Sequence, residues 1–304
     1  MRISLLFCLS LFLPALPAFS GEHLAVYLPD YRAAVAVDAE FYGTTNLILF
    51  SAEPEEDGAV NFSRITPELL RAAKTAKEKQ EIEVTVCVGG WGRGKTFAKA
   101  VATKENRERF ASELAAFCNT HELDGVDLDW EFPKGEQEHA DFALFLGRLG
   151  EVLRAEDRIL TAALGYTRPL SGECWQHLDR VHLMSYQPWS GQPYEPWLRE
   201  SIERFLDAGC PPEKLLVGVG FFTKEKAGER RAVSWKKMAG ESSLPLPESE
   251  HGYWPVGEET CDLRVRLATE YGLGGVMVWE FGHDTPEPGR SLLKHLSSSM
   301  SSDE

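Results

Sequence analysis

Eight short runs of apolar and β-branched residues punctuate this chain: Leu24–Leu28, Asn46–Phe50, Glu83–Val88, Gly125–Asp129, Ile159–Leu164, Val181–Tyr186, Leu215–Phe221 and Gly275–Trp279. Each has the length of a strand and is too short for an ordinary helix. Between them lie stretches with helical spacing: Thr66–Lys79, Asn106–His121, Glu138–Arg154, Pro196–Ala208 and Glu259–Tyr271. Near-continuous hydrophobic strands separated by helices imply a parallel sheet covered on both faces. Eight such units fit a closed barrel better than a doubly wound open sheet, which usually has fewer. The 304 residues, 43% of them hydrophobic, suffice for one buried core. The predicted fold class is therefore α/β, a single (β/α)8 TIM barrel. Helix starts carry suitable chemistry, as at Thr66-Pro67-Glu68, where a capping hydroxyl precedes proline at the first helical position.

The N-terminus reads as an export signal. Arg2 precedes an almost wholly apolar stretch from Ile3 to Phe12, then Pro14 and Pro17, and Ala18-Phe19-Ser20 offers the small residues of a cleavage site. Residues 1–20 are expected to be removed before Gly21, since the apolar run is too short to span a bilayer comfortably. No second long apolar run follows, so the mature chain is expected to be secreted or periplasmic, free of membrane and monomeric. The barrel is expected over residues 21–298, with 299–304 a flexible polar tail. Thr223–Glu258, rich in Gly, Pro and charge, is expected to form a small excursion over one face. A net charge of −15 argues against a nucleic-acid partner, because nothing displaces the phosphate counterions. Removing Cys8 leaves five cysteines, Cys87, Cys118, Cys174, Cys210 and Cys261. The odd number requires at least one free or externally paired thiol. Their wide separations, with no CxxC, speak against a metal site.

The segment carrying chemistry is Asp124-Gly125-Val126-Asp127-Leu128-Asp129-Trp130-Glu131. Alternate side chains of a strand point the same way. Asp127, Asp129 and Glu131 then share one face and Val126 and Leu128 the other. The apolar pair suits the helix layer, which turns the carboxylates toward the barrel axis with Glu131 nearest the C-terminal mouth. Like charges in a confined site cannot all ionise, so at least one pKa should be raised and a proton shared. A solvated acidic patch or a hard-cation site is the plainer alternative. Four acids in one short motif, followed by an aromatic and Pro133, favour catalysis.

DGVDLDWEFP resembles the DxxDxDxE signature of glycoside hydrolase family 18. Cys87-Val88-Gly89-Gly90-Trp91 resembles that family's SxGG motif, Met184-Ser185-Tyr186 its MxY motif, and Gly275–Trp279 its eighth strand, so the likeness covers the whole mature chain. It implies substrate-assisted retention, an exception among retaining glycosidases. Glu131 would protonate the glycosidic oxygen and later activate water. The substrate's own N-acetyl oxygen would attack the anomeric carbon. Asp129 would orient the acetamide, Asp127 would hold Asp129 and share its proton, and Tyr186 would donate to the acetamide oxygen. No metal or organic cofactor is needed. The implied partner is an N-acetylglucosamine-containing polysaccharide or oligosaccharide, chitin being the first choice.

Aromatic rings give apolar sugar faces a surface to stack on. Tyr27, Phe50, Trp91, Tyr186 and Trp279 fall at predicted C-terminal strand ends, and Trp279 would floor the sugar site. Met184, Gln187 and Gly90 complete the expected substrate-binding set, with Trp189 and Trp197 as extensions of the cleft. Two positions depart from the family pattern. Cys87 stands where Ser is usual, which weakens a hydrogen bond toward the buried aspartates. Gln187 follows the tyrosine where Asp or Asn is usual. Endo-β-N-acetylglucosaminidase action, peptidoglycan hydrolysis and a non-catalytic lectin on the same fold are the competing readings. The retained acid at Glu131 argues against the lectin.

Overall fold

The computed structural model describes residues 21–188, 191–225, 232–240 and 252–301. Eight parallel strands close on themselves: β1 (His23–Pro29), β2 (Asn46–Pro54), β3 (Glu83–Gly89), β4 (Gly125–Asp129), β5 (Ile159–Gly165), β6 (Arg180–Met184), β7 (Leu215–Gly220) and β8 (Gly275–Trp279). Each pairs with its neighbour in chain order, and β1 pairs with both β2 and β8, so the barrel has no open edge. The expected (β/α)8 barrel is the observed one.

Alternation along each strand separates two cores. Leu24, Val26 and Leu28 of β1 and Val126 and Leu128 of β4 join the large core between barrel and helices. Each such buried aliphatic side chain contributes about 1.5–3 kcal/mol. Ala25, Tyr27, Ile48, Phe50, Cys87, Ala163, Leu216 and Met277 form the smaller core inside the barrel. The long helices α1 (Pro67–Gln80), α2 (Lys104–His121), α3 (Gly135–Arg154), α4 (Tyr194–Asp207), α5 (Glu258–Tyr271) and α6 (Leu292–Ser301) pack outside. Thr66 caps α1 as expected, its hydroxyl accepting from Leu69 N at 3.2 Å.

The ring of helices is thinner after two strands. β1 leads into one turn, Asp30–Arg32, and the four-residue helix Ala33–Ala36, while β5 leads only into the 3₁₀ segment Gly172–His177. The segment after β7 forms a hairpin, Phe222–Lys224 with Ala232–Ser234, and a short helix, Trp235–Gly240, then returns through Trp254 to α5. The last helix extends into the region expected to be tail. Leu292, Leu293 and Leu296 are buried, Ser299 donates to Asp262 at 2.9 Å, and α6 runs on to Ser301. All five cysteines of the barrel are free and buried, so the disulfide that an exported chain permits is not formed among them. The expected leader, residues 1–20, lies outside the described residues. Among the described residues no helix is long and apolar enough to cross a membrane.

Candidate active site

At the C-terminal ends of the strands lies a cleft of about 660 Å³ lined by Tyr27, Phe50, Trp91, Asp129, Glu131, Met184, Tyr186, Gln187 and Trp279. Phe132, Tyr166, Arg168, Phe222, Lys224 and Trp254 are among the other residues of its walls. The carboxylates stand at increasing height on β4, as the alternation requires. Asp127 is 0% exposed and Asp129 3%, while Glu131 sits just past the strand at the mouth.

Asp127 is saturated with partners. Tyr27 donates its hydroxyl to Oδ2 at 2.7 Å, Thr161 donates to Oδ1 at 2.6 Å, and the His182 ring nitrogen Nδ1 lies 3.1 Å from Oδ1. Burial pushes this carboxyl upward, yet His182, Thr161 and Tyr27 together hold it below the usual carboxylate range. Asp129 has the opposite surroundings. Its Oδ1 is buried with no hydrogen-bond partner among the described residues. Burial first, then the neighbouring Glu131 and Asp127, push it well above the ordinary range. An unpaired buried oxygen costs about 1–3 kcal/mol, so the fold tolerates this one at a loss of stability. Glu131 is raised by burial, with Lys224 pulling the other way. A carboxyl held low at the bottom, a raised one above it and a raised one just past the strand end thus form one column at the cleft.

The turn after β3 presses against this column. Gly90 N donates to the carbonyl of Asp129 at 2.6 Å, and Ser51 donates to the carbonyl of Gly89 at 2.7 Å. Gly89 and Gly90 hold φ of 98° and 89°. A Cβ on Gly89 would run into the Asp129 carbonyl, and one on Gly90 into the Phe50 ring. Glycine is therefore required twice in succession. Arg93 ties the same turn to the one after β1 through Asp30 at 2.8 Å and stands 5.0 Å from the centre of the Phe50 ring.

The predicted site residues divide into walls and supports. Tyr186 lies at the cleft with its hydroxyl 3.7 Å from the Met277 sulfur, and Met184 beside it is half-buried. Gln187 also lines the cleft, but its amide donates to the carbonyl of Phe222 at 2.7 Å, so the longer side chain reaches across to the next wall. Trp279 packs against Phe50 and Tyr27, ring centres 4.7 and 5.5 Å away. Trp91 is the outlier at 80% exposed, an open rim. Tyr27 and Phe50, read from sequence as sugar contacts, are 1% and 4% exposed. Tyr27 has its hydroxyl committed to Asp127 and His182, which makes it first a support. Trp197 is not in the cleft: it is buried between Tyr166 and Tyr194. Trp189 lies outside the described residues. Cys87 pairs in register with Asp127, buried beside both aspartates, and burial raises its thiol well above the usual value.

Sequence reasoning passed over Thr161, His182, Lys224, Arg168 and Trp254. Period-two alternation carries a signal for the first two. His182 is two residues before Met184 and four before Tyr186, and Thr161 is two before the inward Ala163. Lys224 and Trp254 come from the excursion after β7, where no periodicity exists to read. Among the described residues no group of three His, Cys, Asp or Glu side chains is arranged to hold a metal ion.

A family model for glycosyl hydrolases family 18 matches residues 25–284, and the chain belongs to that family. It is 27% identical over 203 residues to Probable chitinase 2 of Drosophila melanogaster, covering 59% of this chain and 42% of that protein. It is 30% identical over 178 residues to an Endochitinase of Manduca sexta, covering 46% of this chain and 32% of that protein. The matches thus span less than half the length of these two relatives. The fold is shared with the Group IV chitinase of Ostrinia furnacalis, solved in complex with allosamidin, at a TM-score of 0.81 and 20% identity over 93% of this chain and 100% of that one.

Proposed function

We propose that this protein hydrolyses β-1,4 linkages of N-acetylglucosamine polymers, chitin first among them, by substrate-assisted retention with Glu131 as acid and base. The observation carrying this reading is the column of carboxyls rising to the cleft mouth: Asp127 buried among Tyr27, Thr161 and His182 and held low, Asp129 and Glu131 lining the cleft above it and held high. A raised glutamic acid at a cleft mouth keeps its proton to higher pH than a free one and so is suited to give it to a leaving oxygen. With the proton delivered, the acetamide oxygen attacks the anomeric carbon and the glycosidic bond breaks, forming an oxazolinium. The buried, unpartnered Asp129 oxygen is suited to accept the acetamide N–H and, with the Asp129 proton passed toward Asp127, to stabilise the positive charge that develops there. Tyr186 donates to the acetamide oxygen from the opposite wall. Glu131, now ionised, then takes a proton from water as the water opens the ring. The relatives' names support chitin as the substrate.

The test compares fluorogenic chitobiosides and chitotriosides with the matching cellulose-derived substrates, and follows the first-formed anomer by proton NMR. Cleavage confined to acetamide-bearing sugars, releasing the β-anomer, is the expected result. Efficient hydrolysis of the cellulose-derived substrates, or initial release of the α-anomer, contradicts it.

The proposal includes internal cutting, because the segment between β7 and β8 is short for the tall wall of a tunnel. A steep early loss of viscosity on a soluble chitin derivative checks it; steady disaccharide release with little viscosity change contradicts it. Export is part of the same reading, and N-terminal sequencing of protein recovered outside the cytoplasm should begin at Gly21.

A further inference from the structure

Tyr186 stands outside the sheet. The sequence places it on the sixth strand, but β6 ends at Met184, and Ser185 N turns back to the carbonyl of Leu183 at 2.8 Å. The carbonyls of Ser185 and Tyr186 therefore lie beyond the strand ladder, yet Tyr186 has to hold a cleft wall.

They are held from the helix layer. Arg264 on α5 is 0% exposed, and its Nη2 donates to the Ser185 carbonyl at 3.1 Å and to the Tyr194 hydroxyl at 2.6 Å. Tyr194 in turn donates to the Tyr186 carbonyl at 3.0 Å. The phenol accepts from one neighbour and donates to the next, so guanidinium, hydroxyl and carbonyl form a directed relay. The other donors of Arg264 reach the carbonyls of Gly218 within β7, 3.2 Å away, and of Thr260 at 3.1 Å. Among the described residues no carboxylate pairs with this guanidinium.

A fully buried cation is a poor choice for packing alone. Leaving water is costly to a charge, and an apolar side chain of similar volume serves a helix face as well or better. Its position is informative: the guanidinium fork grips one carbonyl and, through Tyr194, its successor, at the point where the strand has given out. The Tyr194 ring also lies nearly parallel to Trp254, another cleft wall, at 6.2 Å between centres.

We propose that Arg264 and Tyr194 are positioning residues for the reaction: together they fix the backbone of Tyr186 so that its hydroxyl meets the substrate opposite Asp129. This rests on the glycosidase reading above. Misplacing a reacting partner by about 1 Å can cost on the order of 10²-fold in rate.

Tyr194→Phe keeps the ring and its packing and removes one hydroxyl. Expected are a kcat on chitotriose about tenfold lower, a KM and thermal midpoint near wild type, and faster amide hydrogen exchange at residues 185–187 of the substrate-free enzyme. Unchanged kcat with unchanged exchange overturns the proposal, as does a loss of activity matched by a loss of folded protein. Arg264→Lys keeps the charge without the fork and is expected to lose kcat in the same way. A folded Arg264→Lys enzyme with the wild-type rate also overturns it. Wild-type protein that neither binds nor cleaves these oligosaccharides counts against the glycosidase reading alone, and exchange at 185–187 in Tyr194→Phe still decides the positioning role.

Discussion

Tyr27 donates its hydroxyl to Oδ2 of Asp127 across 2.7 Å, with both side chains buried at the floor of the barrel. The bond joins β1 to β4, and with Thr161 and His182 it holds the lowest of the three carboxyls below the usual carboxylate range. Tyr27→Phe removes one of these stabilisers. A hydrogen bond to a charged group contributes about 1.5–3 kcal/mol, so kcat should fall about tenfold. Because the lost donor had lowered Asp127, the acid limb of the kcat/KM profile should move to higher pH. A full pH profile checks both; an unmoved acid limb contradicts the assigned role.

Asp129 makes stability depend on pH in the direction opposite to Asp127. Its folded-state pKa lies above that of the unfolded chain. Between the two values the native state keeps a proton that the unfolded chain releases, so stability falls as pH rises through that window. Asp129→Asn has no such proton. Its thermal midpoint should exceed wild type at neutral pH, and the gap should close below the ordinary carboxyl range. Melting curves from pH 3 to 8 decide it, and a variant less stable than wild type at neutral pH contradicts it.

Lys224 faces Glu131 and lowers a pKa that burial raises. Neutralising it in Lys224→Gln should lift Glu131 further and carry the alkaline limb of kcat/KM to higher pH, with the acid limb nearly fixed. A shift to lower pH is incompatible with the charge arrangement described.

Most of the fold was legible because a parallel strand covered on both faces leaves an unbroken apolar run, and all eight runs became strands. The acid column was equally legible, since spacing by two on a strand leaves no choice of face. The fate of Tyr186 was not. Its run continues in composition past Met184, and only the tertiary grip of Arg264 shows where the ladder stops. Nor could sequence tell Tyr27 the support from Trp91 the open rim, because both are aromatics at strand ends. Burial by the opposite side of the barrel separates them. Likewise α6 runs on through its serines to Ser301 because buried leucines upstream anchor it.

Trp91 and Trp279 should respond differently to truncation. Trp91 is 80% exposed and holds little of the fold, so Trp91→Ala should leave the thermal midpoint unchanged. A lost stacking contact of about 0.5–1.5 kcal/mol should raise its KM roughly threefold to tenfold. Trp279 is packed on Phe50 and Tyr27. Removing a packed aromatic costs about 3–5 kcal/mol, so Trp279→Ala should lose stability and activity together. Equal effects of the two on KM and melting would show that the division into rim and floor is wrong.

The central claim is that Glu131, raised by burial at the cleft mouth, supplies the proton that breaks the glycosidic bond. Glu131→Gln replaces the acid with a group of the same shape that has no proton to transfer. Its turnover of chitotriose, measured beside calorimetric binding of the same sugar, tests the claim most directly. The account predicts binding near wild type and kcat lower by at least about 10²-fold, the scale of general acid catalysis. Near-normal turnover in folded Glu131→Gln contradicts it.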